Sequence, residues 1–349
     1  MILKPIFFIA LLTAVAACTT PHKKQTLTDI DIINSDFDKS QKSSINTSND
    51  AIRKAYADYL QNSAKNDKSR LTAINRLAEL EFELGNRVIQ EKSSLEGDSP
   101  TLIDSAYNAR LNTTIELITT SLHEYPNASG NDKLLYNLAN AYDQQEQIEK
   151  SLSALKTIAN KYPTSKYYLE SQFRVAEDFF SKGEYVSAED AYTSVITSPK
   201  NERLIEKAFF KRGWSRLKLE YYSEAIDDFI SAVAYHGFSD MADLSSADKD
   251  LFNEYFRAIG LSFSYLQNPD EITKYFEKKK SFSYIYDIYV SISDIYLKQQ
   301  RFSDSARVLA HFSEHHPSSP YVPDSQARLI DSWRQSGFTQ KTYDAINLF

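Results

Sequence analysis

A 37-residue period, readable at several positions at once, constrains this chain more than any other feature. Ser151, Ala188 and Ala225 are spaced by 37, as are Leu155, Tyr192 and Phe229, and Ile158, Val195 and Ala232. Upstream, the same step relates Ala139, Ala176 and Gly213. Pro126 and Pro163 are also 37 apart and Pro199 follows 36 later, each near the end of a helical stretch, where the ring stops a helix. A period of this length marks one supersecondary unit that cannot bury its apolar face alone and must stack on its neighbours.

Each unit divides into an A helix such as 134–142, a turn, and a B helix such as 151–162. Ala139, Ala176 and Gly213 let helix A approach helix B closely, with Ala188 and Ala225 doing the same from the other side. Leu155, Tyr192 and Phe229 then fill the layer between pairs. Gly183 falls in an A-to-B turn, where a positive φ suits glycine. Scarce Gly (8), modest Pro (10) and abundant Tyr (23) and Phe (20) suit long helices packed through aromatic rings better than turn-rich β-structure. The predicted fold is all-α, a right-handed superhelical solenoid of antiparallel helix pairs.

These residues carry a family resemblance. A small residue, an aromatic, Ala, an aromatic and a terminal Pro at such offsets resemble tetratricopeptide repeats, with a period slightly longer than the usual 34. The stretches Tyr162-Pro163-Thr164-Ser165-Lys166-Tyr167 and Phe210-Lys211-Arg212-Gly213-Trp214-Ser215, with Tyr222-Ser223-Glu224-Ala225, are similar to repeats of envelope lipoproteins of Gram-negative bacteria. Among those are the outer-membrane assembly lipoprotein and the Tol-Pal coordinator, and the pattern is closer still to large tetratricopeptide lipoproteins. The resemblance implies a binding scaffold, not an enzyme.

The amino terminus reads as an address. Lys4 precedes an apolar run over 6–17 interrupted only by Thr13, too short for a stable membrane span and suited to a secretory signal. It ends in Val15-Ala16-Ala17-Cys18, which resembles the lipobox of bacterial lipoproteins, and Cys18 is the only cysteine. The resemblance implies acylation of Cys18, a covalent lipid in place of any cofactor. It also implies, with Thr19 where Asp would retain the protein, an outer-membrane, periplasm-facing location, the inner membrane being the alternative. Residues 19–49 are rich in Ser, Thr, Asn, Asp and Lys without a period and read as a flexible tether. As coil it would average about 30 Å end to end and reach roughly 100 Å.

The expected organisation is therefore a signal peptide (1–17), an acylated tether (18–49), amino-terminal helices with a first atypical repeat (50–126) and regular repeats (127–236). A degenerate repeat (237–280) and further repeats (281–349) follow. Within the first of these helical segments, 51–65, 71–90 and 105–125 read as helices, with a loop around 96–100. In the degenerate unit, 251–266 makes an A-like helix with Gly260 at the crossing and 270–279 a short partner. The final unit starts at Pro323, with Trp333 on its A helix and Gly337 in its turn, and leaves Ile346, Leu348 and Phe349 uncovered. Solenoids need polar caps, so the expectation is the amino-terminal part of a longer protein.

Chemistry-bearing motifs are few. The formal net charge of −7 and the lack of a basic stripe argue against nucleic acid as a partner. There is no Gly-rich phosphate loop, nucleophile elbow or His-Glu-x-x-His, and a small-molecule substrate is not expected. His311 and His315 have the four-residue spacing of a metal clamp, but no third ligand is evident and no metal is expected. The acidic pairs Asp227-Asp228 and Glu189-Asp190 sit on B helices and are expected to face water.

The candidate partner site is the A-helix face. By register it comprises Tyr136, Asn140 and Asp143, then Phe173, Glu177 and Phe180, then Phe210, Trp214 and Leu217. Such a groove suits a segment of an envelope protein, with rings as anchors and acids selecting basic residues. In the competing reading, Phe210 and Trp214 simply pack between A helices. The leading function is a membrane-anchored periplasmic scaffold in envelope assembly, touching the membrane through its lipid alone. A subunit of an energised TonB-type or Tol-type system is one alternative. A wall-modifying enzyme is another, resting only on the His311 and His315 pair.

Overall fold

The computed structural model describes residues 38–64, 67, 69–94, 100–198, 202–238, 241–277 and 283–348. Signal peptide, Cys18 and most of the tether, with Pro199 and Phe349, lie outside them. The described residues contain fifteen α-helices, one 3₁₀ turn and no strand. The chain forms two compact units, 1–67 and 68–349. In the first, α1 runs from Asp38 to Asn62. It begins twelve residues before the expected end of the tether. Ser, Asn and Lys penalise a helix only mildly, and with no Gly or Pro from Asp38 to Asn62 nothing stops the helix short of Asp38.

In the second unit the helices pair as the period predicts. They are α2 (Arg70–Ser94) with α3 (Pro100–Glu124), α4 (Asn131–Gln144) with α5 (Ile148–Lys161), and α6 (Tyr168–Ser181) with α7 (Tyr185–Ile196). Next come α8 (Glu202–Lys218) with α9 (Tyr222–His236), α10 (Ser246–Leu266) followed by the short α11 (Asp270–Glu277), α12 (Ile285–Lys298) with α13 (Phe302–His315), and α14 (Val322–Gln335) with α15 (Thr339–Leu348). Each B helix also packs on the A helix of the next pair, which is the linear stacking of a solenoid. The exception is α11, so short that α10 packs directly against α12. The fold is an all-α solenoid of antiparallel helix pairs.

All twelve column residues are buried. Gly213 has the tightest crossing: a Cβ there would lie 2.6 Å from a ring carbon of Phe229. Gly260 plays the same part for α10, where a Cβ would come within 3.0–3.2 Å of Ser291 and the backbone of Ile292. Among the described residues the largest apolar cluster begins in the last regular pair and extends beyond it. It spans α8 to α13, joining Phe229, Phe252, Phe256, Phe263, Phe276, Tyr284 and Tyr289, so aromatic bulk fills the space a full B helix would occupy.

The turns repeat as faithfully as the helices. The A-to-B turns place Glu146, Gly183, Glu220 and Gln300 at φ values of 57–77°, and Gly337 at 75°. The next residue donates its N–H to the carbonyl five positions earlier: Gln147 to Tyr142, Glu184 to Phe179, Tyr221 to Arg216 and Arg301 to Tyr296, all at 2.8–2.9 Å. This is the Schellman closure, and in these four turns its left-handed residue is a glycine only at Gly183. The prolines close the other end of the pair. Tyr162 and His316 cap α5 and α13 with almost identical angles, φ −128° and −125°, each just before a proline that disfavours helical backbone in its predecessor.

Among the described residues no helix is long and apolar enough to cross a membrane. On the last pair, α15 has no buried residue and leaves Tyr343, Ile346 and Leu348 exposed.

Candidate functional site

Most of the residues expected to line an open groove instead stitch neighbouring A helices together. Tyr136 on α4 stacks on Tyr167 (centroids 4.3 Å apart) and donates its hydroxyl to Glu170 of α6 at 2.8 Å. Burial, then the Glu170 carboxylate, pushes the Tyr136 phenol up to about 12. Asn140, one turn along α4, is half-buried, and Asp143 pairs with Arg174 of α6, which also reaches Ser151. In the next step Glu177 accepts from Tyr192 and, at 2.9 Å, from Lys211 of α8. Phe173 meets Tyr192 edge-on, and Phe180 packs on Tyr185 with the Lys211 ammonium over its ring.

The third step departs furthest from expectation. Phe210 lies against Tyr255 of α10 (4.9 Å) and Phe229, Trp214 meets Phe229 at 5.7 Å, and Leu217 is buried in the main core. Leu217 is therefore not a groove residue. Phe210 and Trp214 are half-buried and largely spent on packing between helices. The stitch recurs near the carboxyl end: Tyr286 of α12 stacks on Tyr321 (4.7 Å) and donates to Asp324 of α14; Tyr321 and Asp324 stand where Tyr167 and Glu170 do, and Tyr286 lies one helical turn before the position of Tyr136.

Between α10 and α12 the A-helix face opens. A groove of about 430 Å³ is walled by Asn253, Phe256, Arg257 and Leu261 on one side and by Val290, Asp294, Ile295 and Lys298 on the other, with Asp287 at one end. Counted from the crossing residues Gly260 and Ser293, its Arg257, Leu261, Val290 and Asp294 occupy the register of Phe173 and Glu177. The opening therefore occupies the same register as the expected face, one unit further along the chain. Gly260 was the available signal, since the same register step from it names Arg257 and Leu261. The groove exists because the short α11 lets α10 sit directly on α12, and among the described residues no Tyr–acid stitch bridges this step.

Both signs of charge lie along an apolar floor of Phe256, Leu261, Val290 and Ile295. The Arg257 guanidinium is 5.8 Å above the Trp214 ring and pairs with Glu254 at 2.9 Å, and Asp294 lies 3.8 Å from Arg328 of α14. These ion pairs are about half exposed and weakly coupled, so a ligand can exchange them at little cost. Trp214, expected as an anchor, acts here as the platform under Arg257.

Compared with known families, residues 133–165, which span α4, α5 and the turn after them, match the tetratricopeptide repeat model. The chain carries a tetratricopeptide repeat. No curated protein matches the sequence. Solved structures similar to it include the MamA protein (17% identity, covering 58% of this chain and 88% of that one, TM-score 0.38). A tetratricopeptide repeat protein from Parabacteroides merdae is also similar (14%, 76% and 98%, 0.34), as is the apo form of RapI (14%, 76% and 98%, 0.37). At these TM-scores the likenesses carry no functional conclusion. A tetratricopeptide-repeat solenoid presents an extended surface for protein partners, and the α10–α12 groove lies on that surface.

The remaining chemistry-bearing residues of this repeat protein are built into its packing. Asp190 and Asp227 are exposed as expected, but Asp228 is 2% exposed and binds Arg212 through two contacts of 2.6 and 2.9 Å, with Arg216 at 3.0 Å. Burial raises the Asp228 carboxyl against the pull of the two guanidinium groups. Glu189 joins the network through Arg216, tying α7, α8 and α9 together. The expectation that these acidic pairs face water therefore fails for Glu189 and Asp228, because Arg212 and Arg216 on the facing helix supply buried partners. His311 is buried between Tyr289 and Asp270, and among the described residues no three His, Cys, Asp or Glu side chains converge as a metal site.

Proposed function

We propose that this protein is a periplasmic scaffold, tethered by lipid on Cys18 to the outer membrane, that holds an extended segment of an envelope protein in the α10–α12 groove. The observation that carries the partner site is the groove itself: an unstitched stretch of the A-helix face where apolar floor and exchangeable charges lie together. Arg257 and Lys298 would meet acidic side chains of the segment, Asp294 basic ones, and the floor would take an aliphatic or aromatic anchor. The lipid anchor rests on the apolar run 6–17 and the lone Cys18 after it.

The test is affinity capture from detergent-solubilised envelopes with three baits: the acylated protein, Cys18→Ser, and Arg257→Glu with Asp294→Lys. Under this reading Cys18→Ser leaves the membrane fraction, and the groove variant loses the partners that the acylated protein retains. Reversing two contact charges weakens a specific complex by about tenfold or more. Recovery of the same partners by the groove variant would refute the groove. A Cys18→Ser protein still in the membrane fraction would refute the anchor.

A further inference from the structure

We propose that the stacked His311–His315 pair is an acid-operated latch: neutral, it pins the first turn of α11 to α13, and protonated, it lets α11 go. This does not depend on the groove reading. The rings are 3.9 Å apart and nearly parallel, and His311 is buried. His311 Nε2 lies 3.2 Å from Asp270 Oδ1 at the start of α11, and its Nδ1 lies 2.9 Å from the Tyr289 hydroxyl on α12. One neutral tautomer satisfies both, Nε2–H donating to Asp270 and Nδ1 accepting from Tyr289. His315 uses Nδ1–H to donate to the His311 carbonyl at 3.0 Å, which holds its ring against that of His311.

A proton disturbs this arrangement in three ways. On His311 Nδ1 it meets a hydroxyl that already points its own proton there, so Tyr289 must turn. It charges a group buried between the Tyr289 and His315 rings. It also sets a cation against the His315 ring. The titratable groups around the pair are Asp270 on α11, Tyr289 on α12, Glu314 and His315 on α13, and His316 just after it. Asp270 favours the cation, yet its side chain is 62% exposed and its charge is screened, so burial prevails. Burial, then His315, holds both His311 and His316 below the ordinary histidine value of 6.5. A depressed histidine stabilises the fold above that value and loses the contribution as pH falls below it.

α11 is the element built to yield. It has eight residues, hardly touches the backbone of α10, and flanks a cavity of about 250 Å³ lined by Ile272, Thr273, Phe276, Ile285, Tyr289 and His316. Thr273 Oγ1 is buried there among the residues that line the cavity with Tyr289.

The test is hydrogen exchange of the full chain at about pH 7.5 and 5.0, read as protection corrected for intrinsic rates, with α5 as internal reference. In the wild type, α11 protection is expected to fall about tenfold more than that of α5 on acidification. His311→Gln, which stays neutral, is expected to remove the pH dependence. If His311→Gln leaves α11 open at both pH values, His315→Phe decides, because it keeps a stacked ring without the second charge and should lessen the fall. Equal behaviour of α11 and α5 in the wild type, or an undiminished fall in His315→Phe, would overturn the latch.

Discussion

At the scale of single residues, the repeat is held by where small side chains sit. Gly213 is the sharpest case, because the Phe229 ring occupies the space of its missing Cβ. Gly213→Ala should cost about 1–3 kcal/mol by overpacking, and Phe229→Leu in the same chain should return part of that loss, whereas two independent defects would add. Thermal or denaturant midpoints of the two single variants and the double variant measure the coupling. Sequence alone pointed to Gly213, since it shares a column with Ala139 and Ala176. It did not reveal Asp228 as buried, because its immediate neighbours resemble those of the exposed Asp227. Only the placement of Arg212 and Arg216 on the facing helix distinguishes the two. Leu217 shows the same limit: the register gives a face, and a few tens of degrees of rotation decide between groove and core.

At the scale of elements, the A-to-B turns separate what the pattern encodes from what it hides. Gly183 announced a left-handed residue, but Glu146, Glu220 and Gln300 adopt that conformation with ordinary side chains. Their identities carry no signal, and within the regular run only the 37-residue step from Glu146 to Gly183 to Glu220 does so. The backbone strain at these sites is relieved by glycine, partly offset by the greater freedom glycine brings to the unfolded chain. Glu146→Gly and Glu220→Gly should therefore each stabilise by about 0.5–1 kcal/mol, and Gly183→Ala should destabilise by a similar amount. Melting temperatures under one buffer suffice to check all three. A loss of stability in Glu220→Gly would mean that the Glu220 side chain makes a contribution larger than the strain its backbone bears.

At the scale of the whole solenoid, stability need not follow regularity. A stack in which each pair touches only its neighbours has local stabilities that sum along the chain, so its firmest part is wherever most apolar surface is shared. Sequence placed the best repeats over 127–236 and marked 237–280 as degenerate, which suggests a weak joint. The structure puts the largest continuous core across that joint, from α8 to α13, with Phe252 and Tyr289 fully enclosed and α10 longer than the A helices of the regular repeats. The regular pairs before α8 hold smaller clusters: one around Leu134 and Leu155, another around Ala176 and Tyr192. Aromatic side chains, each able to bury about 150–250 Å², make up for the missing helix. Native-state hydrogen exchange at neutral pH should therefore find its slowest amides in α9, α10 and α12, with α4 to α7 opening at lower free energy and α11 exchanging apart from the helices around it. If α4 to α7 exchange most slowly, regular repeat geometry outweighs buried aromatic area in setting local stability. The short α11 would then be a true break in the solenoid, with the groove between α10 and α12 opening and closing as its two sides move.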